Sequence, residues 1–190
     1  KYMVLDNAES KAIKKSKNVS NVKNAMKVPT NYQIDQGQAI INKGQETELE
    51  TGFVMGGGTT SNIITGDCSS IQLAEGYDQI GGCAESDAHY QPFDWRVDDD
   101  QVQYSTSEPS DADKTIRKVR EDNGLNVPLC PSWVIGEEPN NTYFTRDQNG
   151  NVPKPSTTTS IRFLRNGGTT PPIPWKQFKK AVYKINKSGN

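Results

Sequence analysis

The sequence predicts an α+β fold, a β-rich single domain built as an antiparallel meander or sandwich with a long N-terminal amphipathic helix and a short C-terminal helix. The 190 residues suit one domain. Among them, 13 Ile and 12 Val stand against 6 Leu, and 29 residues are Ser or Thr, which favours strands and exposed loops over helix packing. Apolar residues recur at helical spacing mainly near the two ends of the chain, so the long helices are expected there.

Residues 1–29 are expected to form the N-terminal helical segment. Four residues of its apolar stripe are seven positions apart, namely Leu5, Ala12, Val19 and Met26. Two more, Ala8 and Val22, follow Leu5 and Val19 by three positions. Pro29 ends the helix, because a proline disfavours a helical conformation in the residue before it. A helix this polar is marginal alone in water, so the stripe should pack against the rest of the domain or against another copy.

Residues 30–174 are expected to form the β-rich body. Runs of β-branched residues and short alternations predict strands at 38–42, 49–55, 62–65, 102–104, 132–135, 142–146 and 160–164. Asn149-Gly150 is a strong turn signal, because this pair tolerates the positive φ of a tight hairpin. One short helix is predicted within the body, with Ser110 as its N-cap, Ile116 and Val119 facing inward, and Asn123-Gly124 as its end.

Residues 175–190 are expected to form a basic C-terminal helix and tail. Phe178, Val182 and Ile185 fall on one side of this helix, and the intervening lysines fall on the other. The helix should therefore pack on the body through its apolar side.

Charge is segregated along the chain, although the net charge is only −1. Residues 1–27 carry +5, residues 67–113 carry −11, and residues 154–190 carry +8 with no acidic residue at all. The blocks either neutralise one another within the fold or bind in trans. The expected partners are other copies of the chain or other subunits of an assembly, and the basic termini make nucleic acid a further possibility.

Residues 66–100 are predicted to be a long acidic loop, and a disulfide between Cys68 and Cys83 would stabilise it. Closing the loop of 14 intervening residues would raise the free energy of unfolding by roughly 3 kcal/mol, because the bond lowers the entropy of the unfolded chain. Such a bond predicts an oxidising compartment, and hence an extracellular protein or one on a virion surface. Cys130 is then an unpaired, buried thiol.

The same loop holds the expected contact residues for a ligand, Tyr90, Phe93 and Trp95. These aromatics could bind a sugar or a protein, or simply form a small hydrophobic cluster beneath the loop. Two segments carry carboxylates that could hold Ca²⁺, although neither contains a complete calcium-binding loop. The first segment contributes Asp94, Asp98, Asp99 and Asp100, and the second contributes Asp147. No other cofactor is expected.

No catalytic residues are assigned from the sequence. The single histidine, His89, follows both Cys68 and Cys83, and the cysteine spacings match no zinc motif. His89 is therefore expected to make an ordinary hydrogen bond in a loop. Hydrolysis by a pair of carboxylates is chemically possible in so acidic a chain, but the sequence cannot select the pair.

The sequence thus favours a non-enzymatic structural or assembly subunit, as in a virion, a fibre or a pilus-like structure. A secreted ligand-binding or carbohydrate-binding module is the alternative, and a hydrolase that uses acidic residues is the second alternative. No apolar run reaches the 18–20 residues or so of a membrane-spanning helix, so no transmembrane segment is expected in this chain.

Overall fold

A computed structural model describes residues 2–4, 11–13, 25–98, 101–104, 107–140, 146–165 and 168–188 of the chain. They form the α+β single domain that the sequence predicts. The described helices are α1 Asn31–Thr47, α2 Ala74–Ile80, α3 Asp111–Asp122 and α4 Trp175–Lys187. The described strands are β1 Tyr2–Val4, β2 Lys11–Ile13, β3 Ala25–Lys27, β4 Thr51–Gly56, β5 Thr59–Thr60, β6 Ile64–Thr65, β7 Ser86–Tyr90, β8 Trp95–Asp98, β9 Gln101–Tyr104, β10 Ser132–Pro139, β11 Thr157–Arg165, β12 Gly168–Thr169 and β13 Ile173–Pro174.

The main sheet has eight strands and is mixed, rather than the antiparallel meander or sandwich expected. Its strand order is β12-β11-β10-β7-β4-β5, with β13 paired to β11 and β6 paired to β4. β7 and β10 run parallel, whereas β7 pairs antiparallel with β4 and β10 pairs antiparallel with β11. The parallel pair requires a crossover between its strands, and that crossover contains α3.

One face of the main sheet carries the larger core, covered by α1 and α4. Trp133 of β10 is at its centre and is 1% exposed. Its ring packs edge-on against Phe53 and Phe178, with centroid separations of 6.1 and 5.8 Å. The predicted apolar side of α4 is confirmed, because Phe178, Val182 and Ile185 are all buried.

The predicted strand at 38–42 is wrong, because these residues lie inside α1. Thr30 caps this helix in a capping box: its hydroxyl accepts the Gln33 N–H, and the Gln33 side chain accepts the Thr30 N–H. Ile34, Ile40 and Ile41 are buried at helical spacing. The β-branched isoleucines suggested a strand, but the cap and the periodicity decide the local structure.

The predicted N-terminal helix is wrong as well. Within residues 1–29, the described parts are three short strands that form their own antiparallel sheet in the order β2-β1-β3. Met3 pairs with Met26 across this sheet, and both side chains are buried in the larger core. Strands of three residues are too short to show an alternation, so a seven-residue spacing was the stronger signal.

Two expectations for the body also need correction. Residues 66–100 are not one long loop, because they contain α2, β7 and β8. The Ser110 cap of α3 is confirmed, but Ile116 and Val119 are 46% and 52% exposed. The inner side of α3 instead holds Arg117, which is 2% exposed.

The predicted turn at Asn149-Gly150 is present, with a φ of 80° at the glycine. Residues 142–145 of the strand predicted before this turn lie outside the described part of the chain.

Candidate functional site

His89 stands on the face of the sheet that is opposite to the larger core. It pairs with Gly52 of β4 and with Val134 of β10, so it lies in the interior of the sheet. Gly52 makes room for it, because a Cβ at position 52 would lie 3.2 Å from the His89 Cβ and 2.6 Å from the Ala88 carbonyl oxygen. The imidazole is therefore buried, 6% exposed, in a cleft between the sheet and α3.

Asp113 reaches this histidine from the first turn of α3. The Asp113 N–H donates to Ser110 Oγ (3.1 Å), and the Ser110 N–H donates to Asp113 Oδ2 (2.9 Å). This reciprocal capping fixes the carboxylate, which also lies 3.8 Å from His89 Nε2 through the same Oδ2 atom. The Asp113 carboxylate thus both takes part in the cap of α3 and faces the imidazole.

Glu50 contributes a second carboxylate on the same face of the sheet. It immediately precedes β4 and is 6% exposed. Burial raises the pKa of the Glu50 carboxyl; the charge of His89 opposes the rise, and the charges of Asp113 and Asp67 add to it. Among the described residues, none donates a hydrogen bond to the Glu50 side chain. Among the described residues, the enclosed side-chain atoms that have no partner are Thr60 Oγ1 and Asn126 Oδ1, so the Glu50 oxygens are still reached by water.

The other buried acids are tied down, and Glu137 illustrates the contrast. It is 5% exposed and accepts hydrogen bonds from the Tyr90 hydroxyl (3.0 Å), the Gln45 amide (2.9 Å) and the Thr159 hydroxyl (2.7 Å). This carboxylate stabilises the packing of α1 on the sheet. Glu50 has no comparable structural partner.

Gln91 completes the polar set around the imidazole. Its side-chain amide lies 3.2 Å from His89 Nε2, and either amide atom can face the ring, depending on the histidine tautomer. The His89 nitrogen that faces Asp113 is thus already hydrogen-bonded to the Gln91 amide. No group of three or more His, Cys, Asp and Glu side chains suited to a metal occurs in the described ranges.

A second polar network closes the far side of the cleft. Asp87, two residues before His89, accepts hydrogen bonds from the Tyr77 hydroxyl and from Arg120 Nη1, the latter at 2.7 Å. The Arg120 guanidinium also stacks 4.3 Å from the centre of the Tyr77 ring. This network joins α2 to α3 across β7 and so holds the two walls of the cleft together.

The segment that leads into α3 is anchored on the same face. Glu138 of β10 accepts hydrogen bonds from the Ser107 backbone N–H (3.0 Å) and from Arg162 Nη2 (3.3 Å). Arg162 Nε in turn donates to the Ser107 hydroxyl at 3.1 Å. These contacts set the position of the Ser110 cap, and thereby that of Asp113.

The predicted disulfide is not formed, and all three cysteines are free. Cys68 and Cys83 are both exposed. The segment between Cys68 and Cys83 is instead held in place by the packing of α2 on β4. This packing is so close at Gly76 that a Cβ there would lie 2.7 Å from the Val54 side chain. Cys130 is partly buried and donates to Glu85, and burial raises the pKa of its thiol to about 12.

The structure describes the side chains of two of the three predicted aromatic contact residues, Tyr90 and Phe93. Tyr90 is a core residue, 1% exposed, so it cannot contact a ligand at the surface. Phe93 is half-buried, and the Lys154 ammonium lies 5.8 Å from the centre of its ring. Trp95 begins β8, but its side chain is outside what the structure describes.

The carboxylates proposed for Ca²⁺ do not converge in the described part of the chain. Asp94 is exposed, Asp98 ends β8 with its side chain undescribed, and Asp99 and Asp100 lie outside the described residues. The Asp147 carboxylate accepts the backbone N–H groups of Asn149 and Asn151, each at 2.8 Å, as expected for a turn.

Sequence reasoning missed the cluster of Glu50, His89, Gln91 and Asp113. Two local signals were present: Ser110 and Asp113 at capping-box spacing, and His89 and Gln91 two positions apart, as on one face of a strand. Neither signal reveals that β4, β7 and α3 meet, because their contacts span about sixty positions of the chain. Only the pairing of β4 with β7 places Glu50 on the same face of the sheet as His89 and Gln91.

No described helix is both long and apolar enough to cross a membrane. The chain matches no protein-family model, no curated protein and no solved structure with which it was compared. The geometry of the site is therefore the basis for assigning a function.

Proposed function

We propose that this protein is a hydrolase whose reactive centre is formed by Glu50, His89 and Asp113. The observation that supports this most strongly is Glu50, a buried carboxylate with a raised pKa and no hydrogen-bond donor among the described residues. A carboxyl with a raised pKa whose oxygens are reached by water is suited to proton transfer, and groups with perturbed pKa values are concentrated at reactive sites. Its neighbours are the imidazole and the carboxylate that acid–base chemistry uses most often.

The chemistry follows from these groups. Glu50 accepts a proton from a water molecule beside its carboxylate as the water oxygen bonds to the carbonyl carbon of an amide or ester. The same proton then passes to the leaving nitrogen or oxygen as its bond to carbon breaks. A raised carboxyl pKa suits both steps, because the group must gain and lose a proton near neutral pH.

His89 and its partners orient the reaction. The Gln91 amide makes the hydrogen bond that orients the imidazole, and the Asp113 carboxylate, fixed by the Ser110 cap, adds a negative charge 3.8 Å from the same ring nitrogen. The cleft offers only about 60 Å³ to water-sized atoms, enough for a few waters or a cation but not for a large substrate. The scissile bond must therefore approach from the open side.

The test is hydrolysis of two probes, p-nitrophenyl acetate and fluorescein-labelled casein, each with EDTA or with added Zn²⁺. We expect turnover in at least one condition, reduced about 10²–10⁴-fold in Glu50→Gln and in His89→Ala. Glu46→Gln, at an exposed position of α1, is the matched control and should keep full activity. Absence of turnover of both probes in both conditions, or full activity in Glu50→Gln, would overturn the proposal.

An assembly subunit at an extracellular or virion surface is the second candidate. The segregation of charge along the chain favours it, because separate basic and acidic blocks can pair between copies. Native mass measurement in low salt tests this candidate directly: a strictly monomeric mass argues against it.

A further inference from the structure

Four exposed lysines form a row along one side of α4. They are spaced by four, four and three residues, and they are Lys176, Lys180, Lys184 and Lys187. At about 100° per residue they fall within an arc of roughly 80°, and at about 1.5 Å per residue the row is some 16 Å long. The sequence shows the basic composition, and the helix arranges it as a straight line of charge.

The orientation of this row is fixed by the core. Trp175, Phe178, Val182 and Ile185 occupy the opposite side of the helix and are buried. Because the apolar side is already used within the domain, α4 cannot insert that side into a lipid surface. The lysines are what the helix presents to a partner.

The row also lacks acidic partners. Residues 154–190 contain no Asp or Glu, and none of the four lysines forms a salt bridge with a described residue. Asp35 of α1 does contact α4, but it accepts the hydroxyl of Tyr183. The remaining lysine of the helix, Lys179, donates to the Gln38 side chain at 3.0 Å and stands apart from the row.

Helix stability does not explain the row. Lys184 and Lys187 suit the C-terminal end of a helix, where the dipole favours cations. Lys176 lies in the first turn, where the dipole disfavours a cation and where no acidic residue is present. A positive charge that is unfavourable for its own helix indicates a role toward a ligand.

We propose that the Lys176–Lys187 row binds the phosphate backbone of nucleic acid. Phosphates on one strand of a duplex recur about every 3.4 Å along the axis, so the row spans about five of them. An acidic face on a second copy fits less well. Asp87 and Glu85 of the −11 segment are already paired with Arg120 and Lys27.

The test is fluorescence anisotropy with a labelled 20-base-pair DNA duplex across a salt series. Four phosphate contacts predict a slope of about −3.6 in log K against log salt, or roughly 150-fold weaker binding on going from 50 to 200 mM. The variant that replaces all four lysines of the row with glutamine should lose at least tenfold in affinity at low salt. The matched control removes the same charge at four exposed lysines elsewhere, as K43Q, K114Q, K118Q and K154Q, and should bind nearly as the wild type.

Three results would overturn the proposal, provided that both variants melt near the wild-type temperature. One is no binding of the duplex at 50 mM salt. Another is equal loss of affinity in the control variant, which would show that only net charge matters. The third is a dimer in nucleic-acid-free solution that the row variant abolishes, which would show that the row binds a second copy instead.

Discussion

Replacing Glu50 with glutamine should make the protein more stable at neutral pH while abolishing its proposed activity. Glu50 is 6% exposed, and its charged form has no hydrogen-bond donor among the described residues. Glutamine has nearly the same shape and no charge, so the substitution removes the desolvation penalty without leaving a cavity. Stability and activity would then change in opposite directions, as expected for a residue that is kept for function.

The magnitude and the pH dependence follow from the raised pKa of Glu50. A carboxyl whose pKa is higher in the folded state favours folding when protonated, so this contribution is complete at low pH and is lost as pH rises through the folded-state pKa. Each unit by which the pKa exceeds its ordinary value of 4.5 costs the wild type about 1.4 kcal/mol above that range. The advantage of Glu50→Gln should therefore be near zero below pH 4 or so, grow through mildly acidic pH, and then level off.

Urea unfolding of the wild type and Glu50→Gln at a series of pH values measures this difference. Glu46→Gln, at an exposed position of the neighbouring helix, serves as the control and should follow the wild-type curve at every pH. If Glu50→Gln were less stable than the wild type at pH 7.5, the carboxylate would be making a net favourable bond. That result would contradict a catalytic role for Glu50.

Three further predictions concern the fold and the site. Phe178→Ala removes a fully buried ring beside Trp133 and should cost about 3–5 kcal/mol in urea unfolding; a loss under 1 kcal/mol would contradict the assigned core. Gly52→Ala places a Cβ 2.6 Å from the Ala88 carbonyl oxygen and should cost about 1–3 kcal/mol, so an unchanged melting temperature would show that β4 is packed differently. Iodoacetamide at pH 8 should alkylate exposed Cys68 and Cys83 long before Cys130, whose thiol pKa is about 12, and peptide mapping that finds Cys130 modified first would contradict its burial.

Elements whose signals are local could be predicted from the sequence. The apolar side of α4 repeats over three turns, and the cap of α3 is a serine followed by acids, so both were identified with their key residues. The same kind of signal was available for α1 in Thr30 and Gln33, but adjacent isoleucines favoured a strand. At the N-terminus, the seven-residue spacing predicted a helix, whereas the described residues form strands of three residues each. Strands this short leave no periodicity in a sequence.

The α+β class, the single domain, the C-terminal helix and the separation of charge could be predicted, because composition and short-range spacing carry these properties. The parallel pairing of β7 with β10, the burial of Arg117 and the approach of Asp113 to His89 depend instead on contacts between distant parts of the chain. Arg117 illustrates the reason. Its guanidinium pairs with Glu121 one turn further along α3 (2.7 Å), and hydroxyls and carbonyls from residues 86, 127, 130 and 132 accept its other hydrogen bonds. The pair with Glu121 is local, but the other acceptors come from distant parts of the chain, and the spacing of residues along a sequence does not record that arrangement.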